Sequence, residues 1–99
     1  MGIYDIAVVG AGPAGMMAAI RAGQFNKKVV LIEKNARAGA KILLTGAGRC
    51  NLTNTAPVET FVEKFQKQGK FLRMAFYRFS NQALVDFFES GGLKLKSER

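Results

Sequence analysis

The chain contains no histidine and no tryptophan, a single cysteine and only two prolines. Without histidine, the commonest general base and the commonest metal ligand are missing, so these residues offer neither a serine–histidine nucleophile nor a histidine-held metal. Cys50 alone cannot close an internal disulfide, which fits a reducing compartment. Acidic residues are scarce, 7 against 15 lysines and arginines, and the net charge is +8. Such a balance suits nucleic acid, an anionic cofactor or an acidic partner. The basic residues are nevertheless scattered from Arg21 to Arg99, never more than two together, so nucleic acid is not the expected partner. A long hydrophobic run is absent too: the most apolar stretch, residues 3–20, is interrupted by Asp5, Gly10, Gly12, Pro13 and Gly15. Neither a membrane span nor a secretory leader is expected, and the chain reads as cytoplasmic.

What is present is an ordered series of short patterns. Residues 3–9 form a β-branched apolar run that reads as a buried strand. Residues 13–24 are rich in alanine and methionine and read as a helix, stopped by Gly23 and Asn26. Residues 29–32 form a second β-branched run. Strand, helix and strand within residues 3–34 make one βαβ unit, with parallel strands and a right-handed crossover.

Residues 35–55, with three glycines and little periodicity, read mostly as loop. A helical segment over 57–90 follows. Pro57 opens its first helix, with Asn54 or Thr55 as cap and Val58, Phe61, Val62 and Phe65 on one face. Gly69 separates this from a second helix that turns Phe71, Leu72, Ala75, Phe76 and Phe79 inward. Ser80 caps a third, ended by Gly91 and Gly92. Residues 93–96 alternate and read as the start of a strand. Two strands and three amphipathic helices are too few layers to bury the eight phenylalanines, which read as core residues. The 99 residues are therefore expected to be the first part of a larger protein.

Between strand and helix stands Gly10-Ala11-Gly12-Pro13-Ala14-Gly15. In that setting Gly10 allows a tight turn, Gly12 lets backbone approach a pyrophosphate, and Gly15 lets the helix press on the strand. The pyrophosphate sits on the donor-rich helix N-terminus. Glu33, at the end of the second strand, is placed to accept from two ribose hydroxyls and to repel a 2′-phosphate. Strand, glycines, helix, strand and acid in register point to dinucleotide binding, but do not separate FAD from NAD. The glycine-rich loop with Lys41, Thr45, Arg49, Asn51 and Thr53 supplies donors for a longer cofactor and favours FAD.

The combination of GAGPAG, LIEK and GAKILLTGAGRCNLTN resembles the BaiN-like bacterial flavoproteins, NAD(P)/FAD-dependent oxidoreductases with a two-dinucleotide-binding type of FAD fold. The resemblance runs over essentially the whole chain, and TGxGRCNLTN is its specific part. It implies an α/β, Rossmann-like FAD-binding domain with a βαβ N-terminus and an appended helical segment, cut short of a substrate domain and of the stretch that completes the FAD site. It further implies that Gly10, Gly12, Pro13, Ala14 and Gly15 hold the FAD pyrophosphate and that Glu33, followed by Lys34, holds the adenosine ribose. The stretch from Gly39 through Lys41, Thr45, Gly46, Gly48, Arg49, Cys50 and Asn51 to Thr53 then lies along the FAD. Ala40 and Ala47 depart from the family pattern.

The expected function is hydride transfer through FAD, with NAD(P)H as donor and an unidentified small organic molecule as acceptor. The remainder of its own polypeptide is the expected partner, and this stretch alone is not expected to turn over. No catalytic residue and no metal site can be assigned. A nicotinamide-dependent dehydrogenase and a non-enzymatic dinucleotide-sensing or nucleic-acid-binding module remain as alternatives.

Overall fold

The computed structural model describes residues 2–44, 46 and 49–98. It divides into two compact units, Met1–Asn51 and Leu52–Arg99.

The first unit is built on two parallel strands, β1 (Ile6–Val9) and β2 (Val29–Ile32), joined through α1 (Pro13–Gln24). Their register pairs Ile6 with Val29 and Val9 with Ile32. β1 is shorter than the expected run from residue 3. Its pairing begins at Asp5, which donates its N–H to the Lys28 carbonyl at 2.8 Å and accepts the Lys28 N–H on its carboxylate at 2.8 Å. Upstream of that double contact Ile3 finds no strand to pair with and stands 91% exposed.

Helix α1 starts where the sequence places it. Pro13 occupies the first turn, where a missing N–H costs nothing. The helix ends as Phe25 donates to Ala22 at 3.1 Å and Asn26 turns left-handed at φ 59°. A Cβ on Gly15 would collide with the Gly10 carbonyl oxygen and lie 3.5 Å from Val8 Cγ1, so α1 rests directly on β1. The region expected to be loop contains a further short helix, α2 (Ala40–Leu44). Gly39, left-handed at φ 68°, starts it by presenting its carbonyl to the Ile42 N–H at 3.1 Å. Five residues are too few to show helical periodicity in sequence.

The second unit contains α3 (Val58–Lys64), α4 (Lys67–Arg78) and α5 (Asn81–Ser90). Pro57 is the residue before α3 and not its first turn. The Asn54 carboxamide bonds the Ala56 N–H, closing a turn upstream instead of capping the helix. The break between α3 and α4 is at Gln66, left-handed at φ 51°, and not at Gly69. Gly69 lies inside α4, buried, where a Cβ would run into the Val62 carbonyl oxygen. Its role is close helix approach. Around that contact Phe76 packs on Phe61 and Phe65 with ring centroids 5.7 and 5.6 Å away.

Helix α5 is capped as expected, the Ser80 hydroxyl accepting from the Ala83 N–H at 3.1 Å. Its first residue, Asn81, donates to the carbonyls of Asn54 at 2.6 Å and Ala56 at 3.0 Å. The chain leaves it through Gly92 at φ 94°. Among the described residues no strand follows: Leu93 is exposed, and an alternating pattern without a neighbouring strand has nothing to pair with.

The phenylalanines are less buried than the sequence suggests. Phe61, Phe76, Phe87 and Phe88 are half-buried, while Phe25, Phe65 and Phe79 are exposed and Phe71 is 86% exposed. Phe71 and Met74 lie across α4 from Gly69, so that this helix is apolar on both sides. Ala75, expected inward, is exposed as well. Among the described apolar side chains only Ala11 and Val62 are buried.

Gly69→Ala tests the close approach of α3 and α4. Helix propensity alone favours alanine over glycine by about 1 kcal/mol. The clash with the Val62 carbonyl is expected to reverse that sign and destabilise the protein by about 1–3 kcal/mol. Denaturant titration of wild type and variant reads the difference.

Candidate functional site

At the carboxyl end of β1 the backbone folds tightly. Gly10 adopts φ 98° and donates its N–H to the Ile32 carbonyl at 2.7 Å, which joins the turn to the end of β2. Gly12 is extended, at φ −81° and ψ −174°, and stands at the N-cap of α1 with no side chain capping the helix. Among the described residues, a Cβ added at Gly12 would meet no atom within 4 Å beyond its own chain neighbours. The space over the first turn of α1 is therefore clear, and Pro13 and Ala14, which frame it, are exposed. The first N–H groups of a helix have no partner within it, so this end is a donor-rich, positively polarised surface suited to an anion.

Glu33 follows β2 directly and is half-buried beside the turn. Its Oε1 accepts the Ala11 N–H at 2.9 Å and its Oε2 accepts the Asn35 N–H at 2.8 Å. These two backbone donors, Asn35 first and Ala11 second, hold the carboxyl below the ordinary carboxylate value. A carboxylate has about four lone-pair sites, so two stay available to further donors.

The third member is Gly39, buried and left-handed, whose N–H donates to the Ala11 carbonyl at 2.7 Å. A Cβ there would come within 3.3 Å of Met16 Cε. Gly10, Gly12, Gly15, Glu33 and Gly39 are thus assembled around one residue, Ala11.

The other sequence-predicted residues are less closely tied to that centre. Lys34 is exposed beyond Glu33, and Lys41 is exposed on α2. Gly46, at φ 73°, accepts the Arg49 N–H at 2.8 Å and so turns the chain before Arg49, Cys50 and Asn51, all exposed. Thr53 is exposed and belongs to the second unit. Thr45 and Gly48 lie outside the described residues. Sequence reasoning missed Ala11, Asn35 and Met16. The first two act through backbone N–H and carbonyl groups, which no side-chain pattern announces.

Strand, glycine turn, uncapped helix, parallel strand and terminal acid define a Rossmann-type dinucleotide-binding half. The chain belongs to the HI0933-like protein Rossmann domain family, which matches residues 4–99. This is a family of FAD-binding Rossmann domains of flavoprotein oxidoreductases.

Among characterised proteins, the chain is 34% identical over 93 residues to the ribosomal RNA dihydrouridine synthase of Escherichia coli (strain K12), covering 91% of this chain and 22% of that protein. It is 36% identical over 94 residues to the 3-dehydro-bile acid delta(4,6)-reductase of Clostridium scindens, covering 93% and 22%. A shorter match, 47% over 53 residues, reaches the dihydrolipoyl dehydrogenase of Halobacterium salinarum and covers 44% of this chain and 11% of that protein. The chain spans 22% of the length of the first two relatives. Among the described residues no helix is long and apolar enough to cross a membrane.

The lowered Glu33 carboxyl gives a signed pH dependence. Because the folded value lies below the unfolded one, its contribution to stability is complete above the unfolded carboxylate range, at about pH 4–5, and is lost as pH falls through the folded value. The stability difference between wild type and Glu33→Gln should therefore be constant at neutral pH and shrink in acid. Denaturant titrations across pH 2–7 measure it, and a difference that grows in acid contradicts the assignment.

Proposed function

We propose that the chain forms the FAD-binding part of an oxidoreductase that carries a hydride from NAD(P)H, through FAD, to an organic substrate whose carbon–carbon double bond is conjugated to a carbonyl. The observation that carries the cofactor reading is Gly12. It is extended, it stands at an uncapped helix N-terminus, and the volume its missing side chain leaves is not taken by the protein. Among the described residues nothing needs a glycine's small size there, whereas a diphosphate approaching the backbone does.

In this reading the N–H groups at the start of α1, with Gly10, Gly12, Pro13, Ala14 and Gly15 shaping the approach, hold the pyrophosphate. Glu33 offers its remaining lone pairs to the adenosine ribose hydroxyls and excludes a 2′-phosphate by charge. Lys34, Gly39, Lys41, Gly46, Arg49, Cys50 and Asn51 border the rest of the cofactor. FAD when bound supplies a two-electron carrier that can exchange a hydride with nicotinamide on one side and with substrate on the other. The protein positions the reactants and keeps water out. Catalytic side chains toward the substrate are not among the residues assigned.

The substrate class is supported by the names of two relatives. One name speaks of a dihydro product and the other of a reduction, and both suit a substrate with a reducible carbon–carbon double bond. In a uracil ring and in a 3-oxo-4,6-diene that bond is conjugated to a carbonyl, which accepts the charge a hydride brings. The reaction balances as NAD(P)H, a proton and the unsaturated compound giving NAD(P)⁺ and the saturated one. The remainder of the polypeptide is proposed to cover the cofactor and the exposed apolar faces, in a cytoplasmic protein.

Two measurements test the cofactor. Protein purified from the longest natural reading frame should show flavin absorption bands and release FAD identified by mass. Gly12→Ala should fold with stability within about 1 kcal/mol of wild type, since its Cβ meets only open space, yet bind FAD at least about tenfold more weakly. A colourless protein that fails to take up added FAD overturns the proposal. Salt-sensitive nucleic-acid binding that survives Gly12→Ala would point to the nucleic-acid alternative.

A further inference from the structure

Glu33 does more in this structure than its placement for a ribose requires. A carboxylate serving ribose hydroxyls alone has no need to touch the glycine turn, yet Glu33 Oε1 accepts the Ala11 N–H at 2.9 Å. The other polar group of the same residue, the Ala11 carbonyl, accepts from the Gly39 N–H at 2.7 Å. Ala11 itself is 2% exposed. Both of its backbone groups are thus satisfied by residues beyond β2; the bond to the buried Gly39 is shielded from competing water and the bond to Glu33 partly so.

We propose that Glu33 and Gly39 are positioning residues which, by gripping the N–H and the carbonyl of Ala11, hold the turn from Gly10 to Gly12 in its anion-accepting conformation before any cofactor arrives. This rests on the dinucleotide-site reading above. Gly10 and Gly12 have the largest backbone freedom of any residue type, and a turn containing both would sample many conformations if left alone. Ordering it at the moment of binding subtracts from affinity, and ordering it beforehand does not.

The remaining contacts agree with this. Gly10 is tied to Ile32 at 2.7 Å, and the Gly12 carbonyl accepts from Met16 at 2.9 Å, so both sides of Ala11 are anchored too. Gly39 reaches Ala11 in a left-handed conformation that favours glycine, and a side chain there would press on Met16. Asn35 completes the grip by holding the second Glu33 oxygen.

Two probes separate positioning from ribose recognition: ADP, and 2′,3′-dideoxy-ADP, which keeps the diphosphate and lacks the ribose hydroxyls. Binding is measured by calorimetry on cofactor-free protein from the longest natural reading frame. Glu33→Gln keeps one acceptor oxygen but sets an NH₂ against a backbone N–H. It is expected to weaken dideoxy-ADP about tenfold, the size of a lost charge-assisted hydrogen bond. Gly39→Ala leaves the carboxylate and the ribose site unchanged, and is expected to weaken both probes by the same factor. Unchanged dideoxy-ADP affinity in either variant overturns the proposal, and so does tighter binding on removal of the Glu33 charge.

Amide hydrogen exchange on the unliganded protein gives a reading independent of ligand. Residues 10–16 should exchange several-fold faster in both variants while α4 stays as in wild type. If wild type binds neither probe, the dinucleotide-site reading fails. The exchange data then decide the grip alone, with unaltered exchange at the turn overturning it.

Discussion

The first unit depends on the backbone of one alanine. Ala11 sits between a carboxylate that closes β2 and a left-handed glycine that opens α2, and it binds both. That arrangement requires the strands to be in their observed register, because only then does Glu33 emerge beside the turn that follows Val9. A slip of one residue would turn the Glu33 side chain to the other face of the sheet. The bonds at Asp5 and Lys28 fix the register from the opposite end of the ladder. Two four-residue strands have few hydrogen bonds of their own, so these terminal contacts carry much of the specification.

Elements whose signals are local were legible in the sequence. Pro13 with its alanine-rich turn, the β-branched residues of β2 and the Ser80 cap each act within a few residues, and each element forms where its signal places it. Features set by a neighbour were not. Gly69 looks like a helix break in sequence and is a packing contact in the structure, because the Val62 carbonyl occupies the place of its side chain. Residues 93–96 alternate like a strand, and among the described residues nothing pairs with them. Ala11 and Asn35 carried no signal, since they act through N–H and carbonyl groups common to every residue.

The second unit follows a different physical logic. Its helices α3 and α4 meet at a glycine, which lets backbones approach but removes a side chain from the contact, and only Val62 among its apolar side chains is buried there. Fully burying a phenylalanine is worth about 1.5–3 kcal/mol. Phe71, at 86% exposure, contributes almost none of that to this unit, and Met74 beside it adds little. What holds the pair is the Phe61, Phe65 and Phe76 cluster together with a polar contact in which Glu59 accepts from Arg73 at 2.6 Å and from the Tyr77 hydroxyl. Those charged groups are exposed, and an exposed ion pair is worth about 1 kcal/mol or less. The aromatic cluster therefore outweighs it.

Gly12 and Gly15 show why a motif is not a mechanism until its atoms are placed. Written as letters they are two equivalent glycines three residues apart. At Gly15 the protein itself occupies the volume of a side chain, since a Cβ would collide with the Gly10 carbonyl oxygen. At Gly12 that volume is open, and the backbone there is extended with a negative φ that any residue can adopt. Gly15 is thus required for folding, independent of any ligand. Among the described residues Gly12 meets no such requirement, which is why it, and not Gly15, carries the cofactor proposal. The same residue type at neighbouring positions separates the demand of the fold from the demand of the site.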